Sequence, residues 1–182
     1  MVWKIKRISD FSQCEIEKAE SLMPPERKRE LSRLRNDRKR LASVCAEALA
    51  REMVASYSGK STEEIRFKKT ALGAPYIENF PLHISISHSG ECVSACVGET
   101  PVGIDIEKIR EINVAAADKF CSESDKELLK ADPLTWFYKI WTAKEAYFKM
   151  KGTGLLSPKE ISYKDLAPSH FIEDGYIITV IE

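Results

Sequence analysis

The chain lacks a surplus of either charge: 28 lysines and arginines balance 28 aspartates and glutamates over 182 residues. Nothing in that balance points to a nucleic acid or a polybasic membrane surface as partner. No apolar run approaches the roughly 20 residues that a helix needs to cross a bilayer. The opening Met1-Val2-Trp3-Lys4-Ile5-Lys6 alternates like a strand and is not the apolar stretch of a secretion signal. The five cysteines, at 14, 45, 92, 96 and 121, are odd in number and follow no metal-ligand spacing. Two of them, Cys92 and Cys96, lie in an apolar, strand-like run where free thiols are commonly buried. There is no low-complexity segment and no exact repeat. Together these absences predict a reduced, cytoplasmic protein without a nucleic-acid or membrane partner, of a length that suits one globular unit or two small subdomains.

What is present is organised by hydrophobic period. A first strand is expected near residues 2–8, followed by a polar, charged stretch to Pro24-Pro25. From Glu26 to about Tyr57 the sequence reads as one helix ended by Ser58-Gly59, with Leu31, Leu34, Leu41, Val44, Cys45, Ala48 and Leu49 on its packed face. Strands are expected at residues 65–67, then at 83–88 and 92–97 as a hairpin around Ser89-Gly90-Glu91, with a turn at Gly73-Ala74-Pro75. Residues 113–120 and 124–130 read as short helices and 135–150 as a long one, stopped by Gly152-Thr153-Gly154. Short strands at 161–163 and 176–181 close the chain.

Two acidic signatures stand out. In Gly103-Ile104-Asp105-Ile106-Glu107 the carboxylates are two apart among β-branched residues, so both leave one face of a strand while Ile104 and Ile106 face a core. In Trp141-Thr142-Ala143-Lys144-Glu145-Ala146-Tyr147-Phe148-Lys149, Glu145 and Lys149 share a helical face. Either feature alone reads equally well as a solvated surface. But two like charges on one strand face repel, and a cation offsets this. The aromatics Trp136, Phe137, Tyr138, Trp141, Tyr147 and Phe148 wrap the helix, and charges on a buried helix need partners. Three carboxylates around a shared point would cage Mg²⁺, with lysines beside it to hold phosphate.

The two signatures together resemble those of the 4′-phosphopantetheinyl transferase superfamily, a G-[IV]-D-[IV]-E strand and a W-x-x-K-E-[AS]-x-x-K helix. Ser87-His88-Ser89 is similar to the S-H-S segment of its larger, Sfp-like branch. Leu72-Gly73-Ala74-Pro75 is similar to that branch's G-K-P turn, with alanine in the place of lysine. The resemblance implies an α+β fold of two similar halves in one chain, here residues 1–98 and 99–182, with the second half trimmed at its C-terminal end and the cleft for coenzyme A between them. It also implies a monomer.

For the site, the resemblance implies Mg²⁺ on Asp105, Glu107 and Glu145, and Lys144 and Lys149 at the pyrophosphate or the reacting centre. Ser87 and His88 would meet the 3′-phosphate region of coenzyme A, beside the turn at Gly73 and Pro75. Arginines of the basic run from Arg27 to Arg40 would hold that 3′-phosphate: Arg27 and Arg40 are the first choices, Arg35 and Arg38 the alternatives. Asp125, with Glu123 as competitor, matches the position implicated in activating the acceptor serine. Trp141 reads as core, and His83 and His170 as structural. The activity implied is transfer of the 4′-phosphopantetheine arm of coenzyme A to a serine of an acyl, polyketide or peptidyl carrier protein. A non-catalytic coenzyme A-binding module and a Mg²⁺-dependent phosphohydrolase are the rival readings.

Overall fold

A computed structural model describes residues 1–182. The chain builds one arrangement twice. Strand β1 (Val2–Arg7) leads through helices α1 (Gln13–Leu22), α2 (Pro25–Ser32) and α3 (Asp37–Ser58) and the small hairpin of β2 (Phe67–Lys69) and β3 (Pro75–Ile77) to the hairpin of β4 (His83–Ser89) and β5 (Cys92–Gly98). The second half runs from β6 (Gly103–Lys108) through α4 (Glu123–Ala131) and α5 (Pro133–Lys151) to the hairpin of β7 (Ser169–Glu173) and β8 (Tyr176–Ile181). Its last strand also lies in the middle, giving sheet orders β1-β5-β4 and β6-β8-β7, all antiparallel. The second sheet is therefore as wide as the first. Where the first half inserts the β2–β3 hairpin after its long helix, the second has only 3₁₀ turns at 158–160 and 163–165.

The two sheets pack face to face with a long helix outside each. Alternation decides which side chain goes where. On β5, Val93, Ala95 and Val97 join Cys45, Leu49 and Val54 of α3, while Cys92 and Cys96 turn to the other sheet and meet Ile104, Ile106 and Ile178. Trp3 of β1 lies against Phe171 of β7, ring centroids 4.6 Å apart, at the far end of that shared layer.

Several sequence expectations change. The helix expected over residues 26–57 is two: Asn36 accepts a hydrogen bond from the Lys39 N–H and starts α3 afresh. The polar stretch before Pro24 contains α1, nucleated by a capping box of Ser12 and Glu15. The strand expected at 161–163 lies instead at 169–173. The long helix is nearly as read, with Asp132 accepting from the Thr135 N–H at its start, Pro133 in its first turn, and Gly152 at φ +66° ending it.

Candidate functional site

The open edges of the two sheets, β4 and β6, lie side by side without pairing as strands. Three serines at alternate positions of β4 bridge them. Ser85 Oγ accepts from the Ile104 N–H at 3.1 Å, Ser87 Oγ donates to Asp105 Oδ1 at 2.7 Å, and Ser89 Oγ donates to Glu107 Oε2 at 2.7 Å while accepting from the Lys108 N–H at 3.1 Å. Side-chain hydroxyls thus occupy an edge that a strand would otherwise leave open.

A cleft of about 590 Å³ opens over this seam, lined from both halves. Gly103 sets its floor: a Cβ there would overlap the Ala146 carbonyl, so only glycine lets β6 approach α5 this closely. That approach brings Glu145 and Lys149 of α5 over Asp105 and Glu107. Lys149 Nζ donates to Asp105 Oδ1 at 2.6 Å and to Ser87 Oγ at 2.9 Å. Trp141 Nε1 lies 3.4 Å from Glu107 Oε1, so the residue read as core also reaches the site. Burial pushes the Glu107 carboxyl above the usual range against the Ser89 hydrogen bond, and Asp105 adds to the push. Burial does the same to Glu145, opposed by Lys149 and reinforced by Asp105 and Glu107.

The expected carboxylate cage is not closed: no three acidic, histidine or cysteine side chains converge on one metal position. The reason lies in their partners, because Lys149 takes one oxygen of Asp105, and Ser89 and Trp141 hold Glu107. One oxygen stays free. Asp105 Oδ2 is buried without a hydrogen-bond partner, a costly state for a carboxylate unless a cation meets it. An all-oxygen donor set with that orphaned atom fits a hard divalent ion such as Mg²⁺.

On the opposite wall stand Arg27, Glu30, Ser43, Lys69, Gly73, Ala74, Pro75, Ser87 and His88. His88 points away from Ser87 and toward Ser43, with Nε2 3.5 Å from its Oγ. The residue is exposed and lines the cleft, yet the protein packed around it, and then Lys149, push its pKa down. Arg27 is held by Glu47 at 3.2 Å and Glu30 at 3.0 Å.

Three expected site residues are elsewhere. Lys144 is fully buried, its ammonium donating to Asp125 Oδ2 at 2.5 Å and to the carbonyls of Phe120 and Pro158. All three of its donors are used, so none is left for a pyrophosphate. Asp125, equally buried, also accepts from the Ser122 and Tyr163 N–H groups and caps α4, which makes it a structural anchor and not a base facing the cleft. Its competitor Glu123 is paired with Lys126 on the surface. Arg40 is paired with Asp37 at 3.0 Å outside the cleft. Of the two alternatives, Arg38 pairs with Glu91 and Arg35 does not line the cleft.

The sequence reading missed Lys69, Glu30 and Ser43 on the basic wall. Lys69 carried a weak signal. It lies four residues before Gly73, and in the β2–β3 hairpin it stands opposite Pro75.

Comparison with known proteins agrees with the two halves. A family model described as 4′-phosphopantetheinyl transferase, N-terminal, matches residues 10–99, and one described as 4′-phosphopantetheinyl transferase superfamily matches residues 101–176. The chain is 32% identical over 153 residues to 4′-phosphopantetheinyl transferase Sfp of Bacillus subtilis, an alignment covering 81% of this chain and 68% of that one. It is 35% identical over 120 residues to 4′-phosphopantetheinyl transferase gsp of Aneurinibacillus migulanus, covering 64% of this chain and 50% of its relative. A third relative, 4′-phosphopantetheinyl transferase psf-1 of Bacillus pumilus, is 33% identical over 118 residues, 62% of this chain and 51% of the relative. The chain thus spans only about half the length of two of these relatives.

Proposed function

The chain belongs to the 4′-phosphopantetheinyl transferase superfamily, and we propose that it moves the 4′-phosphopantetheine arm of coenzyme A to a serine hydroxyl of an acyl, polyketide or peptidyl carrier protein. The observation that carries this reading is the cleft itself, where carboxylates of one half face cations of the other across a serine-stitched seam. Coenzyme A carries phosphates for the cationic wall, and a metal would bind the acidic one.

In the reaction, the serine oxygen of the carrier attacks the phosphorus that bears the pantetheine arm. The bond from that phosphorus to 3′,5′-ADP breaks, and the hydroxyl proton passes to a carboxylate of the cleft. Asp105, Glu107 and Glu145 would hold Mg²⁺, which when bound neutralises charge on the pyrophosphate. Lys149, tethered between Asp105 and Ser87, offers its ammonium to the leaving phosphate. Ser87 and Ser89 keep Asp105 and Glu107 in one orientation, so the acidic wall is set before substrate arrives. The attacking oxygen belongs to the carrier, so the scheme needs no covalent intermediate on the enzyme, and the rate rests on positioning.

The test is to incubate the chain with coenzyme A, Mg²⁺ and an apo carrier protein. The expected result is a carrier heavier by one phosphopantetheine arm together with an equal amount of 3′,5′-ADP. Coenzyme A bound without transfer would mark a non-catalytic module, and phosphate release without a carrier would mark a hydrolase.

A further inference from the structure

On the cationic wall one acidic side chain occupies the position where an anionic ligand would meet the protein. Glu30, on α2, receives Lys69 Nζ at both carboxylate oxygens, 2.7 and 2.9 Å away, and Arg27 Nη1 at 3.0 Å on Oε2. Both cations therefore touch the same oxygen. Behind Arg27 the signs continue to alternate into the core: Arg27 Nε meets Glu47, and Glu47 lies 3.6 Å from Arg51. Arg51 is locked from the far side by the carbonyls of Thr62 and Ile65. Arg27 and Glu47 are thus fixed from behind, with side chains 12% and 8% exposed, whereas Glu30 is 50% exposed and held only by the two cations.

Arg27, Glu30 and Lys69 also form the partition between the main cleft and a side cavity of about 200 Å³ that is floored by Phe67, Ile84 and Ile86. Burial works against the charge of Glu30, and Lys69 and Arg27 outweigh it, holding the carboxyl below its usual range. At neutral pH the glutamate is ionised and in place.

Resting on the transferase reading above and on the 3′-phosphate place already expected for Arg27, we propose that Lys69 completes that phosphate-monoester subsite and that Glu30 is its built-in occupant, displaced when the phosphate arrives. The chemistry favours the exchange. A monoester carries close to two negative charges and three acceptor oxygens at neutral pH, against one charge on a half-exposed carboxylate. An arginine and a lysine on one side of the group match a terminal phosphate, whereas a carboxylate group of the protein can satisfy them only in part. Glu30 in turn keeps the two cations together and oriented while the cleft is empty, and lowers the affinity for any anion that cannot move it. In coenzyme A the only monoester is the 3′-phosphate, so the subsite would discriminate coenzyme A from its 3′-dephospho form.

Calorimetric titration of the native chain, Glu30→Gln and Lys69→Met with coenzyme A and with 3′-dephospho-coenzyme A tests this. Glu30→Gln removes the competing charge and should tighten coenzyme A about three- to tenfold, leaving the dephospho form within about twofold. Lys69→Met should weaken coenzyme A about tenfold and again spare the dephospho form. A purely structural ion pair would shift the melting temperature and leave this preference unchanged. The inference is overturned if either variant changes both ligands alike, or if Glu30→Gln weakens coenzyme A. Binding of coenzyme A that ignores Glu30 and Lys69 sinks the inference and leaves the transferase reading standing, whereas a native chain that binds no coenzyme A sinks both.

Discussion

The two halves share a strand–helix–hairpin plan and the same strand order, yet they treat their buried charges differently. In the first half, the buried pair of Glu47 and Arg51 on α3 is loose, at 3.6 Å, with Glu47 Oε1 and two guanidinium nitrogens of Arg51 left without hydrogen bonds. It connects outward through Arg27 and Glu30 to the cleft. In the second half, Lys144 and Asp125 form a closed pair that touches the cleft nowhere, and the working charges lie on the same helix, α5, Glu145 directly beside Lys144 and Lys149 about a turn further on. The comparison separates two jobs that a linear motif merges. In W-x-x-K-E-A-x-x-K, Lys144 holds the half together while its neighbour Glu145 faces the cleft, because adjacent helical positions point about 100° apart.

The sharpest way to break that division is Lys144→Met. It strands Asp125 in the core with only the Ser122 and Tyr163 N–H groups and the Ser162 hydroxyl as partners, and breaking a buried pair from one side costs about 3–5 kcal/mol. Denaturant titration should show that loss in the second half's unfolding, with coenzyme A affinity of the remaining folded protein unchanged. Retention of stability together with loss of coenzyme A binding would return Lys144 to the pyrophosphate. Gly103→Ala comes next. The added methyl collides with the Ala146 carbonyl, so α5 must lift from β6 at a cost of about 1–3 kcal/mol. Transfer should fall further than stability, since Glu145 and Lys149 move with the helix.

Ser89→Ala tests the seam. It removes one donor from Glu107 and one acceptor from the Lys108 N–H, worth about 1 kcal/mol each at most in a half-exposed site. The readout that separates positioning from stability is the Mg²⁺ concentration for half-maximal transfer, which should rise. Ser89→Thr, which restores the hydroxyl, should lower it again. Smallest of all is Arg40→Ala. Paired with Asp37 outside the cleft, Arg40 should leave the Michaelis constant for coenzyme A within about twofold of native, a surface pair being worth about 0–1 kcal/mol. A tenfold rise would place the 3′-phosphate on α3 and not at Arg27.

Much of this was legible in the sequence where local rules act alone. The period-2 run at 103–107 put Asp105 and Glu107 on one face, and Ile104 and Ile106 are fully buried on the other. Gly152 ended α5 as expected because a left-handed cap acts through its own backbone, whereas the helix starts at Pro133, two residues before the expected 135. What the sequence hid was decided across the chain. Lys144 meets Asp125 from 19 residues away, and no spacing rule orders such a pair. The seam serines bridge strands separated by 18 or 19 residues, and no local period could show that a second sheet's edge would meet them. The basic run failed for a related reason. Its density suggested one phosphate-gripping surface, but the break at Asn36 turns Arg40 and Arg27 in different directions. Within the chain's own charges Glu30, Asp37 and Glu91 already answer Arg27, Arg40 and Arg38.

The central claim is that the cleft is divided, with the 3′-phosphate held by the first half and the metal and pyrophosphate by the second. Glu145→Gln tests it most directly, because the substitution keeps the shape of the side chain and removes only its charge. Transfer to an apo carrier and affinity for coenzyme A should be measured on the same preparation. The account predicts that transfer falls by about a hundredfold or more, the scale on which loss of one charge-stabilising group acts in catalysis, while coenzyme A affinity without Mg²⁺ stays within about twofold of native. Native turnover by Glu145→Gln at limiting Mg²⁺, or a parallel loss of coenzyme A binding in its absence, would contradict it.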